Sequence, residues 1–327
     1  DWFFAMRGFN ATIEVNFGAT AFTVSPPTGY SSGYSAAIEN ENREAALTVE
    51  DGSAYMQSTA YTGNTSADHA ILQTETSGDS PNSTFQPDWI WFARRDSGDS
   101  RNLYDAVRGV TKRLRSNLTS AEDTTNTANM LKTFDAAGFT VGDDGAVNGT
   151  SMVAWQWLAD NTSGSSDSNG SITSTVSVNQ TAGFSIVRWS GSGANATIGH
   201  GLGAAPSWLV VKALSASNSW RVYHAANTSA PETEFLELNA TTATQDEATI
   251  WNDTAPTSTV FSVGSDGGSN VSGTDNMIAY CFAEIPGYSK FSSYIGNNST
   301  NGPFVELGFR PAFVMIKAIT QAESWWI

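Results

Sequence analysis

An internal repeat constrains this chain more than any other feature, because one short residue pattern occurs three times along it. In each copy a proline lies within or just before an apolar run of strand length, rich in β-branched and aromatic residues. An aromatic-x-Gly tripeptide precedes each copy. The copies lie at residues 85–93, 202–212 and 307–317, and the tripeptides begin at Tyr61, Trp189 and Tyr294. Recurrence of this kind indicates a series of similar structural units.

The spacing of residues within the copies supports the same alignment. Pro87 lies 17 positions before Tyr104, and Pro206 lies 17 positions before Tyr223. Residues 152–157 likewise match residues 277–282. The predicted divisions are an N-terminal segment at residues 1–49, a first unit at 50–180, a second unit at 181–286 and the start of a third at 287–327.

The third copy predicts an incomplete unit. The tyrosine expected 17 positions after Pro311 would fall just beyond Ile327, so we expect the chain to be a fragment of a longer polypeptide. Residues 307–317 are predicted to form the first buried strand of this unit. Later residues or a neighbouring chain would then cover Phe313, Met315 and Trp325. We expect Trp325 and Trp326 either to pack against another subunit or to end in a poorly supported terminus.

Composition predicts an all-β fold. Aromatic residues make up 11% of the chain, and Ser, Thr, Gly and Asn are abundant, which favours strands and turns over helices. Together with the repeat, this predicts tandem antiparallel β-sandwich-like units. Residues 160–175 are low in complexity and are predicted to form a flexible connection between the first two units.

Charge excludes some classes of partner. The formal net charge of −16 disfavours nucleic acid, whose phosphates are bound mainly by Lys and Arg. No apolar run approaches 18 residues, so insertion into a membrane is not expected. Seven of the 16 basic residues nevertheless fall between Arg94 and Arg115. This cationic segment is either a strip of salt bridges or a docking patch for an acidic neighbour or an anionic glycan.

The residue types that carry catalysis do not converge in the sequence. There are three histidines and one cysteine, and no nucleophile elbow or paired metal-ligand spacing occurs. We therefore expect a protein that is not an enzyme. Asp143, Asp144 and Asp266 lie in equivalent Gly-rich turns, where carboxylate oxygens suit calcium. Calcium is the one cofactor that the sequence suggests, although the regular Asp-x-Asp-x-Asp spacing is absent.

Asparagine occurs in an unusual pattern. Of the 24 Asn residues, 15 begin an Asn-x-Ser/Thr sequon, well above the number that the Ser and Thr content gives by chance. Sequons are acceptors for N-glycosylation, although turns also favour these residue types for conformational reasons. Several recur at matching positions of the units, and these candidate glycosylation sites are Asn64, Asn148, Asn195, Asn270, Asn297 and Asn298.

Two resemblances to known families rest on specific motifs. The N-terminal segment carries Val15-Asn-Phe-Gly18 and Pro27-Thr-Gly-Tyr30, and it resembles the last strands of SPRY-type, concanavalin-like sandwiches. The units resemble a domain that recurs in large structural proteins of marine tailed phages. Four motifs, at residues 85–91, 103–114, 199–206 and 280–291, carry that second resemblance. One departure is Ala93, where the other copies have Lys212 and Lys317.

The second resemblance implies a virion surface or tail-fibre protein that adheres to host surface glycans through repeated β-domains. Weak sites in tandem gain strength through avidity. Trp220, Tyr223 and Trp325 are candidates for stacking on sugar rings, with burial in a core as the competing interpretation. The alternative is a structural subunit of a glycosylated extracellular filament or sheath. Both hypotheses predict self-association into a homo-oligomer or filament.

Overall fold

A computed structural model describes residues 48–73, 84–125, 127–274 and 276–327. The chain divides into a segment at residues 1–50 and a compact unit at residues 51–327. All the described strands and helices lie in the compact unit. The predicted SPRY-like strands within residues 1–49 lie almost wholly outside the described residues.

The described part of the chain is nearly all β, as the sequence predicts. It contains eighteen strands, joined by turns and by three one-turn α-helices. The strands are β1 (Met56–Tyr61), β2 (His69–Leu72), β3 (Trp89–Arg94), β4 (Asn102–Asp105), β5 (Leu114–Arg115), β6 (Leu131–Asp135), β7 (Gly138–Val141), β8 (Met152–Trp157), β9 (Ser165–Asp167), β10 (Ser174–Asn179), β11 (Phe184–Trp189), β12 (Ala196–Gly199), β13 (Trp208–Ala213), β14 (Arg221–His224), β15 (Glu234–Glu237), β16 (Gln245–Asp246), β17 (Val260–Val263) and β18 (Met277–Phe282), and the helices are α1 (Gly145–Asn148), α2 (Ala248–Trp251) and α3 (Gly267–Asn270).

Two large antiparallel sheets repeat one topology. The first has the strand order β1-β8-β3-β4-β5, and the second contains the equivalent order β11-β18-β13-β14-β15, extended by β16 at one end and by β10 and β9 at the other. Each is accompanied by a small sheet, β2-β7-β6 in one case and β12-β17 in the other. We call β1 to β8 the first unit, β9 to β18 the second unit, and residues 287–327 the third segment.

Three cores hold these sheets together. One lies between the first large sheet and its small sheet, and another lies between the second large sheet and its small sheet. The third, which we call the central core, combines the inner faces of both large sheets. Alternation along β13 shows the division, since Trp208 and Val210 point into the central core while Leu209 and Val211 point away from it.

Two sequence-based expectations require correction. The low-complexity residues 160–175 include β9 and the start of β10, which pair with each other at the edge of the second large sheet. Ser and Thr there join a hydrogen-bonded ladder, which composition alone does not reveal. Residues 307–317 do not form a buried strand, because within them only Ile316 makes a bridge, with Trp326.

The expectation that later residues or a neighbouring chain bury the apolar side chains of the third segment is also wrong for three of them. Phe313, Met315 and Trp325 pack against the central core of the same chain. Val314 and Ile316, which alternate with them, remain 48% and 40% exposed. Trp326 is 67% exposed. The third segment thus buries one face on the units that precede it.

Candidate functional site

The first and second units meet through three hydrogen bonds that involve main-chain atoms. In two of them, a side chain of the second unit donates to a backbone carbonyl at or just after the end of β5. In the third, a backbone amide of the first unit donates to a backbone carbonyl of the second. The bonds join Lys212 Nζ to Thr119 O at 2.9 Å, Trp220 Nε1 to Arg115 O at 3.0 Å, and Glu122 N to Leu214 O at 2.8 Å. Both side chains, Lys212 and Trp220, are fully buried.

The second unit and the third segment meet through the same three bonds. Lys317 Nζ donates to Thr241 O at 3.1 Å, Trp325 Nε1 donates to Glu237 O at 2.8 Å, and Thr244 N donates to Ile319 O at 2.9 Å. The residues of the third segment lie 105 positions after their counterparts in the second unit. Those of the second unit lie 122 positions after their counterparts in the first. One interface is therefore used twice in head-to-tail order.

Aromatic contacts close this series into a cycle. Trp89 of the first unit stacks on Tyr280 of the second, with ring centroids 4.4 Å apart. At the equivalent positions, Phe313 of the third segment meets Trp155 and Trp157 of the first unit, at 5.6 and 5.4 Å. Equivalent positions of all three copies, Trp89, Trp208 and Phe313, thus contribute aromatic rings to the central core.

A buried ion pair lies at the contact between the two complete units. Arg108 Nε donates to Asp105 Oδ2 at 2.6 Å, and Tyr280 Oη donates to the same oxygen at 2.8 Å. Burial opposes the charge on Arg108, but Asp105, Tyr280 and Glu122 outweigh it and raise the pKa of the guanidinium. Burial also raises the pKa of Tyr280 well above its ordinary value. This network fixes β4 of one unit against β18 of the other.

Asp88, in the Pro-Asp-Trp motif of the first unit, is a second buried acid. Its Oδ2 accepts hydrogen bonds from the backbone nitrogens of Ala159 and Asn161, at 2.7 and 3.0 Å. Its Oδ1 has no hydrogen-bond partner among the described residues. Burial raises the pKa of Asp88 to about 6. The carboxyl group anchors the chain where it leaves β8.

The predicted sugar-stacking residues do not form a surface. Trp220 is fully buried in the central core, and Tyr223 is 5% exposed in the outer core of the second unit, against Trp251. Trp325 is half-buried, and its indole nitrogen is engaged at the repeated interface. Trp220 and Tyr223 lie on opposite faces of the second large sheet, so the structure assigns these two rings to packing.

The predicted glycosylation sites fall into two groups. Asn64, Asn195, Asn297 and Asn298 are exposed. Asn148 and Asn270 are fully buried, which contradicts their assignment as acceptors in the folded chain. The nitrogen that a glycan would modify already donates hydrogen bonds, from Asn148 to Ser66 O and Gly142 O, and from Asn270 to Ser192 Oγ and Ala194 O.

The acidic side chains of the Gly-rich turns form hydrogen bonds and an ion pair within the described chain. Asp144 Oδ1 accepts from Ala146 N and caps α1, and Asp266 Oδ1 accepts from Gly268 N and caps α3 in the same way. Asp266 also pairs with Arg221, whereas Asp143 is exposed. No group of three or more His, Cys, Asp or Glu side chains suited to a metal occurs within the described ranges. A calcium site stays a prediction.

The cationic segment is largely neutralised. Four of its seven basic side chains form salt bridges, which favours the salt-bridge interpretation over a docking patch. Arg94 pairs with Asp96 and Asp99, Arg108 with Asp105 and Glu122, and both Arg113 and Arg115 with Asp123. These pairs reinforce the loops around β4 and β5.

The geometry defines a class: an all-β protein in which repeated units join head to tail around one aromatic core. The chain belongs to the family described as a domain of unknown function, DUF7483, which matches residues 51–327. No curated protein and no solved structure matches it. None of the helices in the described ranges has the length and apolar character needed to cross a bilayer.

Sequence reasoning missed the acceptor side of the repeated interface. Thr119, Arg115 and their counterparts contribute backbone carbonyl oxygens, which any residue type supplies. The donors left a detectable signal, because Lys212 and Lys317 align with each other, as do Trp220 and Trp325. In the first unit the matching residues are Ala93 and Arg101. The first unit therefore has no amine at the position from which Lys212 and Lys317 donate the repeated hydrogen bond.

Proposed function

We propose that this chain is a non-enzymatic structural protein of a virion surface or tail fibre, which presents repeated β-units for adhesion to host surface glycans. The observation that carries the proposal is the head-to-tail interface, whose three hydrogen bonds recur between successive units. A protein built in this way holds several equivalent loops in fixed relative positions. The resemblance of its motifs to structural proteins of tailed phages supports the same role.

The loops that follow the aromatic-x-Gly tripeptides are the best candidates for the adhesive surface. Asn64, Asn195 and Asn297 are exposed in the matching turns of the three copies. In the third segment, Phe304 and Tyr294 add aromatic surface that is 87% and 49% exposed. Aromatic faces of this kind stack on sugar rings, and repetition turns weak contacts into useful avidity.

Binding to bacterial surface polysaccharides tests this proposal. The purified chain would be applied to immobilised polysaccharides, once as single molecules and once multimerised through a biotin tag on streptavidin. We expect multimerisation to strengthen retention on at least one polysaccharide by about a hundred-fold, as avidity predicts. Failure of both formats to bind any polysaccharide would contradict the adhesive role.

A structural subunit of a glycosylated extracellular filament is the second candidate. The exposed sequons favour it, because glycosylation of a filament requires acceptors on its surface. Intact mass separates the two, because hexose-sized increments on Asn64 or Asn298 support the filament. An unmodified chain that binds polysaccharide supports the virion role.

A further inference from the structure

His200, in the Gly-His-Gly-Leu-Gly motif of the second unit, is held by backbone groups at both nitrogens of its ring. It follows β12 directly and is fully buried. Its Nδ1 accepts from Leu202 N at 3.2 Å, and its Nε2 lies 3.1 Å from Thr257 O. An amide N–H can only donate and a carbonyl oxygen can only accept, so the ring carries its one proton on Nε2. The two neighbours therefore hold His200 in a single neutral form.

The hydrogen bond from Leu202 shapes the loop that leads to β13. Gly201 and Gly203 have φ angles of 71° and 74°, in the left-handed region that favours glycine, so the chain turns on either side of Leu202. The Leu202 side chain is 3% exposed and packs in the outer core of the second unit. His200 thus holds the loop at residues 200–206 in place.

The first unit has a glutamine at the equivalent position. Gln73 follows β2 as His200 follows β12, and each donates its backbone amide to the residue that precedes the paired strand, β7 or β17. Gln73 is also fully buried. Its Oε1 accepts from Phe85 N at 2.8 Å, and its Nε2 donates to Gln156 Oε1 at 3.2 Å. Both side chains accept a loop amide, but only the histidine can gain a proton near neutral pH.

The surroundings of His200 disfavour a charged ring. β10, β17 and residues 257–259 contact His200 or the adjoining Gly201, and they contain no ionisable side chain. Asp167 of β9, whose carboxylate lies against the backbone of Gly199, is the charged group that favours protonation. Burial outweighs it and lowers the pKa of His200 below its ordinary value of 6.5.

We propose that His200 is a proton-sensitive switch that opens the loop at residues 200–206 of the second unit in acid. A proton from solvent adds to Nδ1, where it faces the N–H group of Leu202, and two donors cannot share one hydrogen bond. The Leu202 amide is displaced, and its apolar side chain leaves the outer core. Because the folded chain holds this proton less tightly than the unfolded chain, the stabilisation is complete above pH 6.5. It is lost as the pH falls through the lowered pKa of His200.

Amide hydrogen exchange at Leu202 tests the switch locally. A local measurement is needed because protonation of Asp88, whose pKa burial raises, has the opposite effect on global stability. Protection factors, corrected for the intrinsic pH dependence of exchange, would be measured by NMR on the whole chain at pH 7.5 and pH 5. We expect the protection of the Leu202 amide to fall by at least about ten-fold. The Phe85 amide, bonded to Gln73, should change by less than about two-fold.

His200→Gln supplies the matched control, because the first unit shows that a buried glutamine can accept the loop amide. We expect this variant to keep the protection of its Leu202 amide at pH 5. Equal protection of Leu202 at both pH values in the parent would overturn the proposal. An equal acid-induced loss in His200→Gln, or at the Phe85 amide of the parent, would also overturn it, because the acid would then act elsewhere. If His200→Gln does not fold, the contrast between the Leu202 and Phe85 amides of the parent decides the matter.

Discussion

Asp88 shows how one buried carboxyl group couples this fold to pH. Burial raises its pKa to about 6 from the ordinary 3.8, so the folded chain holds the proton more tightly than the unfolded chain. The resulting stabilisation is fully present below pH 3.8 and is lost as the pH rises through 6. At higher pH the charged carboxylate, with one oxygen unpaired in the described structure, opposes folding.

Asp88→Asn should therefore remove a pH dependence. Between pH 4 and pH 8 the unfolding free energy of the variant should rise relative to the parent by about 2 kcal/mol, because asparagine has no proton to lose. Chemical denaturation at both pH values measures this difference. The same substitution at exposed Asp143 is the control, and an equal response of the two variants would contradict the role given to Asp88.

The two buried sequon asparagines are predicted to be structural. The side chain of Asn270 makes four hydrogen bonds. Its Oδ1 accepts from Trp189 Nε1 and from Ser192 N, and its Nδ2 donates to Ser192 Oγ and to Ala194 O. Asn270→Ala should lower the unfolding free energy by about 2 to 3 kcal/mol, because it removes all four bonds, including the one to the indole nitrogen of buried Trp189. Asn195→Ala, at an exposed site, should cost about 0.5 kcal/mol or less.

Peptide mapping by mass spectrometry gives an independent check. In chain made by a host that carries out N-glycosylation, modification should be confined to exposed sequons such as Asn64 and Asn195. A glycan on Asn148 or Asn270 of the folded protein would contradict the assignment. The sequence marked all these residues alike, since a sequon pattern carries no information about burial.

At the scale of elements, the aromatic-x-Gly tripeptide is explained by close backbone approach. A Cβ on Gly63 would overlap the carbonyl of Asn148, and one on Gly191 would overlap the carbonyl of Val271. These loops lie against the end of the one-turn helix in each unit. Gly296, the third copy, has no atom within 4 Å of such a Cβ among the described residues.

Alanine substitutions in the three copies should therefore differ. Gly63→Ala and Gly191→Ala should each lower the unfolding free energy by about 1 to 3 kcal/mol, because rigid backbone must move. Gly296→Ala should change it by about 0.5 kcal/mol or less. Thermal unfolding of the three variants compares them directly. Similar losses in all three would mean that the third loop is packed like the other two.

Elements with strong local signals were predictable, and others were not. The apolar runs around Pro87 and Pro206 did form the central strands β3 and β13. By contrast, β9 and β10 have a Ser-rich sequence that is stabilised by ladder hydrogen bonds to each other and to β11. The segment at residues 307–317 has a strand-like sequence, yet none of the described residues pairs with it as β18 pairs with β13.

At the scale of the whole molecule, the repeat was visible in the sequence, but the way in which its units pack was not. Residues along β13 are buried on both faces, so alternation gives no hint of which face meets a neighbouring unit. Trp220 and Tyr223 illustrate the consequence. Both are aromatic strand residues, which the sequence made candidates for a binding surface. In the structure they lie on opposite faces of one sheet, and each face lines a different core.

The central claim is that the third segment contacts the first unit through the same aromatic positions by which the first unit contacts the second. A double-mutant cycle on Phe313 and Trp157, whose ring centroids are 5.4 Å apart, tests it most directly. Unfolding free energies would be measured for Phe313→Leu, Trp157→Leu and the double variant, with Phe313 and Phe261 as a distant control pair. We predict a coupling of about 0.5 to 1.5 kcal/mol for the first pair and about zero for the control. Additive effects of Phe313→Leu and Trp157→Leu would contradict the closed arrangement.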